Sequence, residues 1–282
     1  MLQEIERLIL QYHLNIYSVS EITEKGVKTM SMQPANACNN CYSVAKLFTV
    51  TAIGMLQDDG ILSVNDKIFN IFREEFPKNY DKKWEKVTIE NVIKHQIGFD
   101  KGFLDIDVEN IYEYGTDDFL HIVLSHQLKF EPGSYRVYSD AAYYLISRIV
   151  SAITGMKLDV FLQKRLFTPL QFQEIAWSSC PKGYSMGATG LYIRTEDMVK
   201  LGWVYLNNGE YNGKQIVSKN WVKQTLSHGY ELIRQGNKNM YAKVGMNGQI
   251  LYISFDTKRA IAWHGYDETN NISILFDLLQ KS

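Results

Sequence analysis

Ser43-Val44-Ala45-Lys46 sets a hydroxyl and an amine at positions i and i+3, and on a helix such positions share a face. A serine hydroxyl is a weak nucleophile that needs an adjacent base. Lysine serves when burial or neighbouring cations lower its proton affinity. The free N–H groups of a helix N-terminus also suit a developing oxyanion. On its own the four-residue pattern is common by chance and reads first as an N-cap serine and a solvated lysine. Two later elements change that reading. Tyr138-Ser139-Asp140 stands directly before an apolar helical run, and Lys243-Val244-Gly245 lies on an expected strand. A serine–lysine pair, a Tyr-x-Asn-like element and a Lys-x-Gly element in this order form a three-part signature.

The elements that must position these residues follow from periodicity. Residues 2–12 carry Leu2, Ile5, Leu8, Ile9 and Tyr12 at helical spacing. Segments 14–20 and 27–32 alternate as strands around the polar Glu24-Lys25-Gly26 turn. From Ser43 to about Gln57 the pattern is helical, and Gly60 closes it. Residues 61–185 are helical stretches broken by turns such as Glu131-Pro132-Gly133-Ser134, with 141–153 a buried helix. Helices are expected from Thr195 to Leu206, over 218–227 and over 270–280. Strands are expected at 240–246, 249–256 and 259–264, with Asn247-Gly248 as a hairpin signal. Strands at both chain ends and helices between them predict an α+β architecture. In it, residues 1–60 plus 186–282 build an antiparallel sheet lobe, and 61–185 an inserted all-helical lobe of one catalytic domain.

Composition narrows the function. The chain has 282 residues, 45% of them hydrophobic and 22% charged, with 30 Lys plus Arg against 31 Asp plus Glu. That balance gives no field to draw nucleic acid or an anionic membrane. No apolar run approaches the ~20 residues that span a bilayer. The first fifteen residues carry Glu4 and Glu6 and lack a secretory leader's apolar core, so a cytoplasmic location is expected. Cys38, Cys41 and Cys180 make an odd count, read as free thiols. Cys38 and Cys41 form a CxxC without the second pair a zinc site requires. No metal and no cofactor are expected. The expected partner is a small-molecule or peptide-like substrate, and oligomeric state is left open.

With these motifs in place, the chain resembles the class C β-lactamase-related serine hydrolases. That group includes penicillin-binding DD-peptidases, family VIII-type esterases, D-aminopeptidases and amide oligomer hydrolases. YSVAKLFTVTAIGMLQDDGILSVNDKI is similar to the family's nucleophile helix and following turn. EPGSYRVYSDAAYYLISRIVSAITG resembles its Pro-Gly…Tyr-x-Asn block, GATGLYIRTEDMVKLGWVYLNNGEYNGKQIVSKNWV its Gly-Leu-x-Ser-Thr-x-Glu-Asp stretch, and VGMNGQ the turn after the third motif. The resemblance implies a β-lactamase/transpeptidase-like fold and hydrolysis of an ester, amide or β-lactam through an acyl-enzyme on Ser43. Lys46 and Tyr138 would be catalytic, and the backbone N–H groups of Ser43 and Met246 would form the oxyanion hole. Asp140, Lys243, Gly245 and His264 would contact substrate.

Two departures bear on substrate. Asp140 stands where the family often has Asn; an ionised carboxylate only accepts hydrogen bonds and would favour the ammonium of Lys46, shifting the base role toward Tyr138. Val244 replaces the usual Thr or Ser, removing a hydroxyl that helps hold a substrate carboxylate. The same departures motivate the alternative of a non-catalytic ligand-binding or penicillin-sensing domain. His95 fits a structural His-x-x-Gly turn and is read as packing.

Overall fold

The computed structural model describes residues 1–236, 238–267 and 271–281. In chain order the elements are α1 (Leu2–Tyr12), β1 (Ile16–Thr23), β2 (Gly26–Ser31), β3 (Asn39–Asn40), α2 (Ala45–Asp58), α3 (Ile68–Ile71), α4 (Ile89–Ile93), α5 (Phe119–Ser125), α6 (Asp140–Thr154) and α7 (Leu158–Leu162). There follow β4 (Ala176–Trp177), β5 (Leu191–Ile193), α8 (Thr195–Leu206), β6 (Glu210–Tyr211), β7 (Lys214–Gln215), α9 (Lys219–His228), β8 (Ile233–Arg234), β9 (Met240–Val244), β10 (Ile250–Ser254), β11 (Arg259–Gly265) and α10 (Ser273–Lys281). Of the helix expected over 270–280, Asn270 lies outside the described residues.

The chain divides into two compact units. One comprises residues 1–44, 166–176 and 191–282; the other comprises 45–165 and 177–190. The first carries a six-stranded sheet ordered β2-β1-β11-β10-β9-β8. Its described pairings are antiparallel, with Val19 opposite Trp263, Tyr252 opposite Ile261 and Leu251 opposite Lys243. Both faces are covered, so β10 and β11 read as nearly continuous apolar runs rather than alternating ones. On one face Ile5, Leu8 and Ile9 of α1 and Ile272, Leu275 and Leu279 of α10 bury against Val19, Tyr252, Ile261 and Trp263. On the other face lies α8. A Cβ at Gly202 would stand 2.7 Å from that of Ala260, so the glycine lets the helix approach β11. The expected hairpin is present as a longer loop: Val244 pairs with Ile250, and within the intervening loop Asn247 and Gly248 both have positive φ, 55° and 83°, the conformation for which Asn and Gly are favoured.

The second unit is helical. Its centre is α6, whose Ala141–Ile146 segment is wholly buried, packed by α2, α4, α5 and α7. α2 is buried from Ala45 to Leu56, as expected of a helix apolar on nearly every side. Its packing on α6 and α7 places it in this helical unit, so the boundary falls after Val44, earlier than the residue 60 expected from the sequence. All three cysteines are free. Among the described residues no helix is long and apolar enough to cross a membrane.

Candidate active site

Ser43 occupies a 3-10 turn, Tyr42–Val44, that leads into α2. Tyr42 before it has φ 46°, a left-handed conformation uncommon for a bulky residue. The turn is held locally. The Asn40 side-chain oxygen accepts from Tyr42 N–H at 2.9 Å, and the Cys41 carbonyl accepts from Val44 N–H at 3.1 Å. Ser43 is only partly buried.

The third motif lies against this turn. A Cβ on Gly245 would come within 2.6 Å of the Cys41 carbonyl oxygen and 3.3 Å of the Ser43 nitrogen. Only glycine lets the end of β9 pass so close to the backbone of the Ser43 turn. Gly245 is anchored by its N–H, which donates to the Gln249 carbonyl at 2.8 Å. Met246, the next residue, is partly exposed. Ser43, Gly245 and Met246 thus share one small region of the sheet unit.

Lys243, two residues back, is 7% exposed, and its ammonium contacts the carboxylate of Glu231, itself 6% exposed. Val244 between them is exposed and borders an apolar cavity of about 150 Å3 with Ile250, Ile272 and Phe276. His264 is fully buried on β11. Its Nε2 donates to the Ile193 carbonyl at 2.9 Å, and its Nδ1 faces the Gln249 side-chain amide at 2.9 Å. Burial pushes the imidazole down to about 4. The expected substrate contact is therefore replaced by an internal one. With no exposed edge, the ring ties β11 to β5 and to the Gln249 end of the hairpin.

The remaining motif residues belong to the helical unit. Lys46, in the first turn of α2, is completely buried, and its Nζ donates to Asp140 Oδ1 at 2.7 Å and to the Ala188 carbonyl at 3.1 Å. The same nitrogen lies 4.7 Å from the centre of the Tyr138 ring, within cation–π range. Tyr138 is 41% exposed. Its ring packs at 4.5 Å from His95, whose Nδ1 accepts from Ser139 N–H at 3.2 Å and whose carbonyl accepts from Val137 N–H at 2.9 Å. His95 is thus packing, as read from the sequence, but packing that fixes the backbone on both sides of Tyr138.

Two carboxylates that sequence reasoning missed stand beside Asp140. Oxygens of Asp105, Asp107 and Asp140 lie within 4.8 Å of one another. Burial, reinforced by the charge of Asp140, pushes the Asp105 carboxyl up to about 6. Thr189 Oγ1 donates to Asp107 at 2.5 Å. Lys46 already supplies a cation to this group. Burial, with the hydrogen bond to Glu174, pushes the Cys38 thiol up to about 11, away from the thiolate form that carries thiol reactivity.

Comparison with known proteins agrees with the fold. The sequence model of the family described as Beta-lactamase matches residues 34–270. An N-acetylmuramyl-L-alanine amidase of Bacillus subtilis is 26% identical over 174 residues, covering 60% of this chain and 38% of that protein. The chain spans less than half the length of the curated relatives it matches. A family VIII carboxylesterase structure superposes with a TM-score of 0.76 at 13% identity, covering 96% of this chain and 92% of that one. The octameric penicillin-binding protein homologue of Pyrococcus abyssi superposes with a TM-score of 0.74 at 16% identity, covering 99% and 76%.

Proposed function

Because this chain belongs to the β-lactamase family, whose relatives include hydrolases, we propose that it is a serine hydrolase cleaving an ester, amide or β-lactam through an acyl-enzyme on Ser43. The reading rests most on one observation, the approach of Gly245 to the backbone of the Ser43 turn. That approach brings the peptide groups of the third motif to the nucleophile, where N–H groups of Ser43 and Met246 are suited to a carbonyl oxygen gaining negative charge.

In this mechanism the Ser43 hydroxyl attacks the carbonyl carbon and loses its proton. Lys46 is bound as the cation of a buried pair with Asp140, so its role is to hold positive charge under the Tyr138 ring rather than to take the proton. Tyr138 is then the proton relay: its hydroxyl gives its own proton to the leaving group as it takes that of Ser43, and in the second step it hands its proton back to the Ser43 oxygen as it takes one from the attacking water. The assignment of Lys46 to the same centre as Ser43 rests on their separation of three residues in the chain.

Intact mass spectrometry after exposure to a p-nitrophenyl ester and to a fluorescent penicillin tests this. The expected result is an acyl adduct that maps to Ser43, with turnover abolished in Ser43→Ala. Turnover unchanged in that variant overturns the reading. The tie between Lys46 and Asp140 also favours a second reading, a ligand-binding domain that acylates and stops. It predicts a long-lived adduct, and rapid multiple turnover excludes it.

A further inference from the structure

Resting on that reading, we infer that Glu231 sets the charge selectivity of the site by neutralising Lys243, so that the site favours acyl substrates lacking a carboxylate. The lysine of the third motif is the positive side chain nearest the Gly245 crossing along β9, and an exposed ammonium there would attract an anionic substrate. In this protein it is not exposed: Lys243 and Glu231 are both more than nine-tenths buried and in contact with each other.

The backbone shows how Glu231 reaches that position. Helix α9 ends at Gly229 with φ 67°. Tyr230 and Leu232 are then fully buried and pin the chain on either side. Between them Glu231 is held at φ 64°, a left-handed conformation that costs a non-glycine residue energy and persists only where its surroundings fix it. Its N–H donates to the Gly229 carbonyl at 2.8 Å. The strained turn aims the carboxylate inward at β9 instead of at solvent.

Stability alone is a weak reason for such a pair, because removing two charges from water offsets most of their attraction. Its consequence for recognition is direct. A substrate carboxylate approaching Lys243 meets a pair of net charge zero and must compete with a carboxylate already in contact. The middle position of the motif adds to this. Val244 has no hydroxyl to offer an anion, and it borders an apolar cavity with Ile250, Ile272 and Phe276. The features around the third motif therefore favour an uncharged ester or amide.

The test uses matched ester pairs in the full-length protein. One pair places the carboxylate on the acyl side (p-nitrophenyl pentanoate and p-nitrophenyl hydrogen glutarate). The other places it on the leaving group (phenyl acetate and 3-acetoxybenzoate). The wild-type protein is expected to prefer the neutral member of each pair in kcat/KM. Glu231→Gln keeps the shape and removes the charge. It is expected to raise the ratio of carboxylate-bearing to neutral kcat/KM at least tenfold in one pair, mainly through KM, whereas Glu231→Asp leaves the neutral preference in place. A ratio unchanged within twofold in both pairs overturns the inference. So does a wild-type preference for the carboxylate-bearing esters, which needs no variant to fold. Ser43→Ala run alongside separates the two claims: turnover surviving it refutes the nucleophile, whereas turnover lost with an unmoved ratio in Glu231→Gln refutes only the selectivity.

Discussion

Removing either member of the Lys46–Asp140 pair should be costly, and by unequal amounts. The two side chains are 0% and 5% exposed and 2.7 Å apart. Stranding one charge of a buried pair costs about 3–5 kcal/mol. Asp140→Asn leaves an ammonium that keeps the Ala188 carbonyl at 3.1 Å and the Tyr138 face at 4.7 Å; a desolvated cation–π contact returns up to about 2 kcal/mol. The neighbouring carboxylates of Asp105 and Asp107 also remain. This variant should therefore lose about 3 kcal/mol, at the lower end of the range. Lys46→Met leaves the Asp140 carboxylate facing two others without the Lys46 ammonium, and should lose about 5 kcal/mol, at the upper end. In Lys46→Met/Asp140→Asn neither charge is stranded, so the loss should fall short of the sum by about 3 kcal/mol, the size of coupling seen between contacting residues. Urea unfolding followed by tryptophan fluorescence at pH 7 measures all four proteins. Additivity within about 0.5 kcal/mol, the behaviour of independent sites, would refute the reasoning, as would Asp140→Asn proving costlier than Lys46→Met.

Other variants probe the sheet unit. Gly245→Ala puts a methyl 2.6 Å from the Cys41 carbonyl and should cut ester turnover by about a hundredfold, the loss typical of a displaced oxyanion donor, while circular dichroism shows the fold retained; full activity would contradict the close crossing. His264 is held neutral with its pKa lowered from 6.5 to about 4. Its contribution is therefore complete above pH 6.5 and is lost as pH falls toward 4, by about 3 kcal/mol in all. Stability measured across that window should flatten in His264→Gln, and an unchanged slope would remove His264 as its source.

Much of the frame is readable in the sequence because it rests on local rules. Alternation marks β1 and β2, Asn247-Gly248 can turn only a few ways, and Ser218 caps α9 by accepting from Trp221 N–H at 3.0 Å, as its position ahead of the helix suggests. The three motifs are legible because each is a short pattern. What stays hidden arises between segments. Glu231 is twelve residues from Lys243 and reaches it only through a left-handed turn that its own sequence, Tyr-Glu-Leu, does not advertise. Asp105 and Asp107 sit in a loop without periodicity, and nothing in their spacing announces that they meet Asp140. His264 carries the composition of a reactive residue, yet its role is decided by Ile193 and Gln249, which are remote in the chain. The limit between the units falls inside the serine–lysine motif, where helical periodicity runs on unbroken.

The sheet order has a consequence for how the chain is made. Strand β1 lies between β2 and β11, so one ladder partner emerges at once and the other only after a long stretch of chain. Arg259 of β11 bonds Glu21 of β1 across 238 residues of chain. At ribosomal speeds of about 5–20 residues per second, that interval lasts roughly 10 to 50 seconds. Throughout it the inner edge of β1 is an unclosed ladder of backbone N–H and C=O groups, flanked on its faces by Ile16, Val19 and Ile22 that end up buried, and open to strands of other nascent chains. Recombinant yield should therefore respond to translation rate, growth temperature and chaperone supply, and a chain stopped before Arg259 should be found in the insoluble fraction.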